Sequence, residues 1–317
     1  MAAQGMKTVF NKIGISSTQF GSYQLIYCIF LLCQRNGNGG AIYFCEYQSN
    51  CSFFYCSFDR CSIQNNNHGG CVCIQEASHV KLRSNCFYMS SAYRCPGIMV
   101  WGHGSYRVHS VHSNFSSDSF HTLTEAGSSY YSQNQVYISQ SNVSSVSSSL
   151  ICSGFYLGCS NSGLVSEFVT MKNISGYGVV GFYPSGTPLN NSIRFINFIT
   201  CSVHSSSFFV FSYTASPCYL IDCVYVDCAF SKMFNRLAAG SLELLSCTLS
   251  IENEACDFTS CVLKDCTFIA NPMIHSHQYL DSSVCWESTF IVEHTHNNLK
   301  PFAYFFPLFS ILYLLAY

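Results

Sequence analysis

Between residues 36 and 290 the chain repeats short runs of β-branched and aromatic residues, each closed by Asn, Gly or Ser; QVYIS, EFVTM, SIRFINF, FFVFSY and CVLKDCTF are examples. Such runs predict strands, and the 3.6-residue period of an amphipathic helix is missing from nearly all of this stretch. The runs recur in register. A polar residue stands directly before an apolar or cysteine residue at Asn85, Asn114, Asn142, Asn173, Asn197 and Asp227, in steps of 29, 28, 31, 24 and 30 residues. Cys228, Cys247 and Cys266 follow at intervals of 19. Gly39-Gly40-Ala41-Ile42 returns 30 residues later as Gly69-Gly70-Cys71-Val72, and Pro96-Gly97-Ile98-Met99 stands 27 residues beyond Gly69. Strand-and-turn periods of this length, without helices between them, predict an all-β solenoid. One coil has too little apolar surface to fold alone, but coils stacked ~4.8 Å apart bury a continuous core. The polar markers are then expected to stack as a buried Asn ladder at one corner. The minimum coil is about 19 residues, and the surplus in longer coils is loop.

Cysteines five residues apart give a second pattern. It occurs in CSFFYCSFDRC from Cys51 to Cys61, in CYLIDCVYVDC from Cys218 to Cys228 and in CDFTSCVLKDC from Cys256 to Cys266. Side chains alternate along a strand, so the first and third residues of each five point inward. The first, crowded by the neighbouring coil, must be small. The third fills the core: Phe53, Phe58 and Ile63, then Leu220, Tyr225 and Phe230, then Phe258, Leu263 and Phe268. Five-residue faces throughout would make a pentapeptide-repeat-like quadrilateral β-helix, which is the alternative architecture.

Composition narrows the function classes. Charged residues make up 9% of the chain, against about 25% in ordinary domains. The surface must therefore be wetted by Ser, Thr, Asn, Tyr and His, as β-proteins readily do. With 14 basic and 16 acidic residues and no basic run, binding of nucleic acid through its phosphates is not expected. The 21 cysteines are an odd number in a chain too long to need staples. They read as buried thiols acting as small hydrophobes, with several disulfides as the alternative. Cys71-Val72-Cys73 has no second pair at metal-finger spacing.

The ends differ from the middle. Leu25–Cys33, LIYCIFLLC, follows Lys7 and Lys12 and could be a signal sequence, but no small-x-small cleavage site follows; it reads as a buried strand. Pro301–Tyr317 carries no charge, and its 17 residues would span about 26 Å as a helix. It is expected to be membrane-associated, as a helix or the tail of a lipid-anchor signal, with a last apolar strand as the alternative. The expected division is an N-terminal cap over 1–35, a repeat domain over 36–290, and a linker with a C-terminal apolar segment, a short helix or tail, over 291–317.

The paired glycines, the Phe-and-Cys strands and the Asn markers over about residues 36–290 resemble the right-handed parallel β-helix repeats of polymorphic outer-membrane proteins. They look closest to the large β-helix surface families of trichomonad protists. The resemblance implies a right-handed parallel β-helix of the pectin lyase-like kind, displayed at the cell surface with a terminal membrane anchor and a role in adhesion. An extracellular protein or glycan would be the partner. This chain lacks the charged cytoplasmic tail and clear signal peptide of that pattern.

Polysaccharide lyases and hydrolases also use β-helices, so catalysis must be weighed. Such sites gather carboxylates with a base on one face. The acids here stand singly, at Asp59, Glu76, Asp118, Glu125, Glu167, Asp222 and Asp227. Gly102-His103-Gly104 resembles a His-Gly element of pectin hydrolases without its partners. His275 with His277 and His294 with His296 are paired at strand spacing, near Cys285 and Glu293, but read as solvated positions rather than metal ligands. Sequons at Asn50, Asn114, Asn142, Asn173 and Asn190 compete with the ladder, because a buried amide cannot be glycosylated. No phosphate-binding loop, zinc-protease helix or nucleophile elbow is present. The expectation is a non-catalytic binding protein with no catalytic, cofactor or metal residues, and a carbohydrate-active enzyme or a degenerate copy as alternatives.

Overall fold

The computed structural model describes residues 2–276 apart from 4–7, 13, 20, 46–48, 64–68, 78, 89–90, 93–96, 102–106, 117–118, 121–128, 134, 140–141, 145–153, 160–163, 183–190, 205–206, 213–216 and 237–239. It is a parallel β-solenoid. Every strand pairing is parallel and joins one coil to the next. Each coil passes along a first face, turns onto a second, and crosses to a third. The first two faces form one 20-stranded sheet bent along its length, and the third is a 9-stranded sheet. In one coil the three faces are Asn50–Phe54, Ser57–Asp59 and Val72–Gln75. The ladder already includes Thr8–Asn11 and Cys28–Leu31, before residue 36. Leu25–Cys33 is mostly strand as expected, but corners interrupt it at Tyr27, which is exposed, and at Leu32.

One column, inward wherever its side chains are described, fixes the register. It runs Phe30, Phe58, Phe87, Phe115, Val143, Met171, Phe198, Tyr225, Leu249, Phe268 along the second face. The steps are 28, 29, 28, 28, 28, 27, 27, 24 and 19 residues, so the coils shorten toward the C-terminal end. Rings within the column stack: Phe30 on Phe58 at 5.0 Å, Phe58 on Phe87 at 4.9 Å, and Phe198 on Tyr225 at 4.8 Å. Coils this long, with loops before the third face, rule out the quadrilateral pentapeptide architecture.

The corners explain the cysteines. Where the first and second faces are separate strands, the chain turns between them on a left-handed residue, at Tyr27, Tyr55, Phe168, Phe195, Asp222, Ser246 and Asp265, whereas His79–Tyr88 and Arg107–Ser116 each run along both faces as one strand. After the second face the chain turns so again at Lys12, Leu32, Arg60, Asn173, Thr200 and Asp227. Left-handed backbone costs a non-glycine residue about 1–2 kcal/mol. The ladder offsets this, because the corner amide still bonds the neighbouring coil: Tyr27 N–H donates to the Phe54 carbonyl at 3.0 Å and Asp222 N–H to the Leu245 carbonyl at 2.9 Å. Apart from residue 13, which lies outside the described residues, the next residue points into the core and is Cys, Ile or Val. At Cys56, Cys61, Cys201, Cys223, Cys228, Cys247 and Cys266 the thiol donates to two carbonyls, one two residues back and one in the preceding coil. The carbonyls two residues back also accept a backbone N–H from the preceding coil, as Phe54 does from Tyr27 and Leu245 from Asp222, so the thiol adds a second bond that a valine of similar size would not make.

Three register expectations need correction. Cys51, Cys218 and Cys261 share a column, as do Cys56, Cys223 and Cys266, so the last triplet is displaced by one cysteine and Cys256 precedes the first face. Cys247 accordingly lies over Cys223 and not over Cys228, and the 19-residue step from Cys228 is not a coil. The polar markers belong to several columns. Asn114, Asn142, Thr170 and Asn197 align, Asn85 sits one place earlier, and Asn173 and Asp227 are left-handed corners. The Pro96 marker is one residue out, since Val72 pairs with Ile98. Gly39 and Gly69 do align, with φ of 67° and 71°. A Cβ on Gly40 would lie 2.2 Å from the Gly70 carbonyl oxygen, so the pair is required by close coil approach.

No disulfide joins the 16 cysteines whose side chains are described. Pro301–Tyr317 lies outside the described residues, and among those no helix is long and apolar enough to cross a membrane.

Candidate functional site

The first corner is the candidate interaction surface. Left-handed backbone is normally given to Gly, Asn or Asp, and a bulky side chain there is an outlier. Here it carries Tyr27, Tyr55, Phe168 and Phe195. Tyr27 stacks on Tyr55 with centroids 5.0 Å apart, and Phe168 on Phe195 at 5.1 Å. The coil rise of ~4.8 Å sets this spacing, so the rings lie across the solenoid axis. Stacking returns about 0.5–1.5 kcal/mol per pair, which partly offsets the backbone cost. Tyr27 is 53% exposed and Phe168 37%. Farther along, the same corner becomes polar through Asp222, Ser246 and Asp265. The sequence signal for these aromatics is their place directly before the inward corner residue, in Tyr27-Cys28, Tyr55-Cys56, Phe168-Val169 and Phe195-Ile196.

His275 sits against this corner and is not a solvated strand position. After Ile269 the chain doubles back along the outside of the stack. His275 N–H donates to Asn197 Oδ1 at 2.8 Å, and Asn197 Nδ2 donates to the His275 carbonyl at 2.9 Å. The ring bonds the Asp222 carbonyl and packs edge-on against Phe195 at 5.9 Å. Asn197 is thereby buried by a bracket with the C-terminal strap rather than by an amide ladder. Asn50 and Asn173 are exposed. His277, Cys285, Glu293, His294 and His296 lie outside the described residues, as do Asp118, Glu125, Asn190 and Gly102-His103-Gly104; the Asn114 and Asn142 side chains do too.

The acids are held apart. Asp59 is buried and receives both Arg60 Nε at 3.1 Å and Nη2 at 3.0 Å. Glu76 takes a left-handed turn after the third face. Glu167 pairs in register with Arg194 on the first face. Asp222 and Asp227 occupy two different corner columns. Arg35, from the short strand Gln34–Arg35 of a separate 4-stranded sheet, lies 5.7 Å from the ring of Tyr43 on the third face, whose hydroxyl donates to Gln75 at 3.1 Å. Burial, helped by a hydrogen bond with Cys45, pushes the Tyr43 hydroxyl up to about 12. Burial also raises Cys73 above the usual thiol range and so keeps it a protonated, unreactive thiol. Among the described residues no three His, Cys, Asp or Glu side chains converge as a metal site would require.

No family model, curated protein or solved structure matches the chain. What the fold defines is its class, a cysteine-rich parallel β-solenoid.

Proposed function

We propose that this solenoid is a non-catalytic binding protein that contacts an extracellular protein or glycan through its lateral surface, at a membrane or cell surface. The observation that carries the reading is the aromatic corner. Strained backbone that persists with exposed rings is more economically explained by use than by folding, because Asn or Gly would build the same turn without the cost. Tyr brings large contact area with little side-chain entropy to lose, and a solenoid repeats that contact along its length. Membrane association rests on the uncharged Pro301–Tyr317 segment.

The test has two parts. Intact native cells expressing the tagged chain are treated with a membrane-impermeant label. Labelling with recovery in the membrane fraction is expected, and unlabelled soluble protein would end the surface reading. Binding of the wild type and of Tyr27→Asn/Tyr55→Asn to those cells' surface proteins and glycans is then compared. The double variant should fold with unchanged or slightly higher stability and bind at least tenfold more weakly. Turnover of uronate-containing polysaccharides by the purified chain would instead establish the enzyme alternative.

A further inference from the structure

The two ends of the stack are complementary. At the C-terminal end, Cys261–Lys264 and Thr267–Ile269 pair with the coil before them and, among the described residues, with nothing beyond. Leu244 and Leu249 are fully buried, whereas Leu263 in the next coil is 38% exposed, and Val262 and Ile269 are exposed beside it. Bare edge and uncovered core are what an extended strand recognises. The strap from Ile269 to Ser276 does not cover them, since it climbs to Asn197, in the third coil above the last.

At the N-terminal end, Ala2–Ala3 and Thr8–Asn11 pair with the coil that follows and, among the described residues, with no other. Their register continues the internal columns: Ala3 aligns with Leu25, Thr8 with Cys28 and Phe10 with Phe30. Leu263, Cys266 and Phe268 end those same columns at the other end. Charge separates the ends as well. Before Glu46 the chain carries Lys7, Lys12 and Arg35 and no acid. From Leu242 to Ile269 it carries Glu243, Glu252, Glu254, Asp257 and Asp265 against Lys264 alone, and Lys264 is paired with Glu243 at 2.8 Å. Lys12 is an exposed residue of the second corner, and Glu252 and Glu254 are exposed where the chain leaves the second face at that corner, in the coil directly before the last.

We infer that the acidic C-terminal end is an interface for the basic N-terminal coil of a second copy, stacked head to tail so that the parallel ladder and its columns run on from one chain into the next. Such a contact is heterologous and does not close, so the product is a linear assembly. Each added chain would present another aromatic corner to a repetitive partner.

The experiment uses the full chain in reducing buffer, with sedimentation velocity over roughly two decades of concentration. The wild type should form species growing with concentration and dissociate as salt is raised, because the exposed charges are screened. Lys12→Glu alone and Glu252→Lys/Glu254→Lys alone should each lose association at least tenfold, and an equal mixture should regain it. These are exposed positions, and circular dichroism checks that both variants fold. A wild type that stays monomeric throughout overturns the inference and leaves the end to another occupant, the chain's own C-terminal residues included. Undiminished association of Lys12→Glu by itself also overturns it, since that points to tail-to-tail pairing.

Discussion

Replacing corner and face cysteines separates two roles that their burial alone cannot distinguish. Cys56 is a corner thiol, fully buried, with Sγ 3.5 Å from the Leu25 carbonyl and 3.4 Å from that of Phe54. Cys51 is equally buried five residues earlier but lies mid-strand on the first face. Its thiol is pushed up to about 12 by burial alone. Truncation to alanine removes about one methylene-equivalent of buried volume at either site, about 1–1.5 kcal/mol with the cavity included. At Cys56 it also removes the thiol hydrogen bond, adding about 1 kcal/mol, although the Phe54 carbonyl keeps the Tyr27 N–H. Serine reverses the comparison. At Cys56 a hydroxyl keeps the donor, though the shorter C–O bond stretches the contact, and the cost should be about 0–1.5 kcal/mol. At Cys51 the hydroxyl enters a site with no partner among the described residues and should cost about 1–3 kcal/mol. Serine should therefore be milder than alanine at Cys56 and harsher at Cys51, a difference of about 2 kcal/mol between sites. Urea unfolding under reducing conditions, read at constant m, measures it. If serine were the worse substitution at both sites, the cysteines would be small hydrophobes only and the corner hydrogen bonds would carry no weight.

Three further outcomes follow from the same interior. Burial holds Cys51, Cys56, Cys61 and Cys228 above the ordinary thiol value of 9.0. The unfolded chain releases those protons first, so stability should be flat below about pH 8.5 and fall above it, by up to about 1.4 kcal/mol per unit per thiol; melting between pH 7 and pH 10 that showed no decline would refute this. The Tyr225 hydroxyl is buried without a partner among the described residues, so Tyr225→Phe should be neutral or stabilise by up to about 1 kcal/mol, and a loss beyond 1 kcal/mol in urea would show a bond the structure lacks. Asn85 stands in the column of Cys28 and Cys56, accepting the Cys56 N–H at 3.0 Å and donating to the Phe53 carbonyl at 3.0 Å. Asn85→Ala should cost about 2–4 kcal/mol and Asn85→Cys visibly less; equal losses would mean that the column does not accept either donor.

The solenoid was legible because stacking repeats an inward position at nearly constant spacing, and Phe30, Phe58 and Phe87 keep that spacing in the bare sequence. The register of individual coils was less legible for a physical reason. A five-residue cysteine interval fits either the step from face to corner or the step from one corner to the next. Cys51 to Cys56 and Cys56 to Cys61 are both spaced by five, so Cys256–Cys266 could slide by one unit without losing its pattern. Only pairing across coils fixes which is which. The same ambiguity hid the candidate surface. Asn is at home both at an outward strand start and in a left-handed corner, so Asn173 and Asn197 look alike in sequence while occupying different columns. Tyr27 and Phe168 look like core residues by type. They are exposed because each precedes the residue that turns inward, and left-handed backbone at that place swings the ring out. A corner rule follows: a residue directly before an inward Cys, Ile or Val, at coil spacing, faces solvent whatever its hydrophobicity. Applied to Asp222, Ser246 and Asp265 it returns polar residues, as solvent exposure favours. Applied to Tyr27, Tyr55, Phe168 and Phe195 it returns aromatics that neither the turn nor the core requires, which is why the binding proposal rests on them.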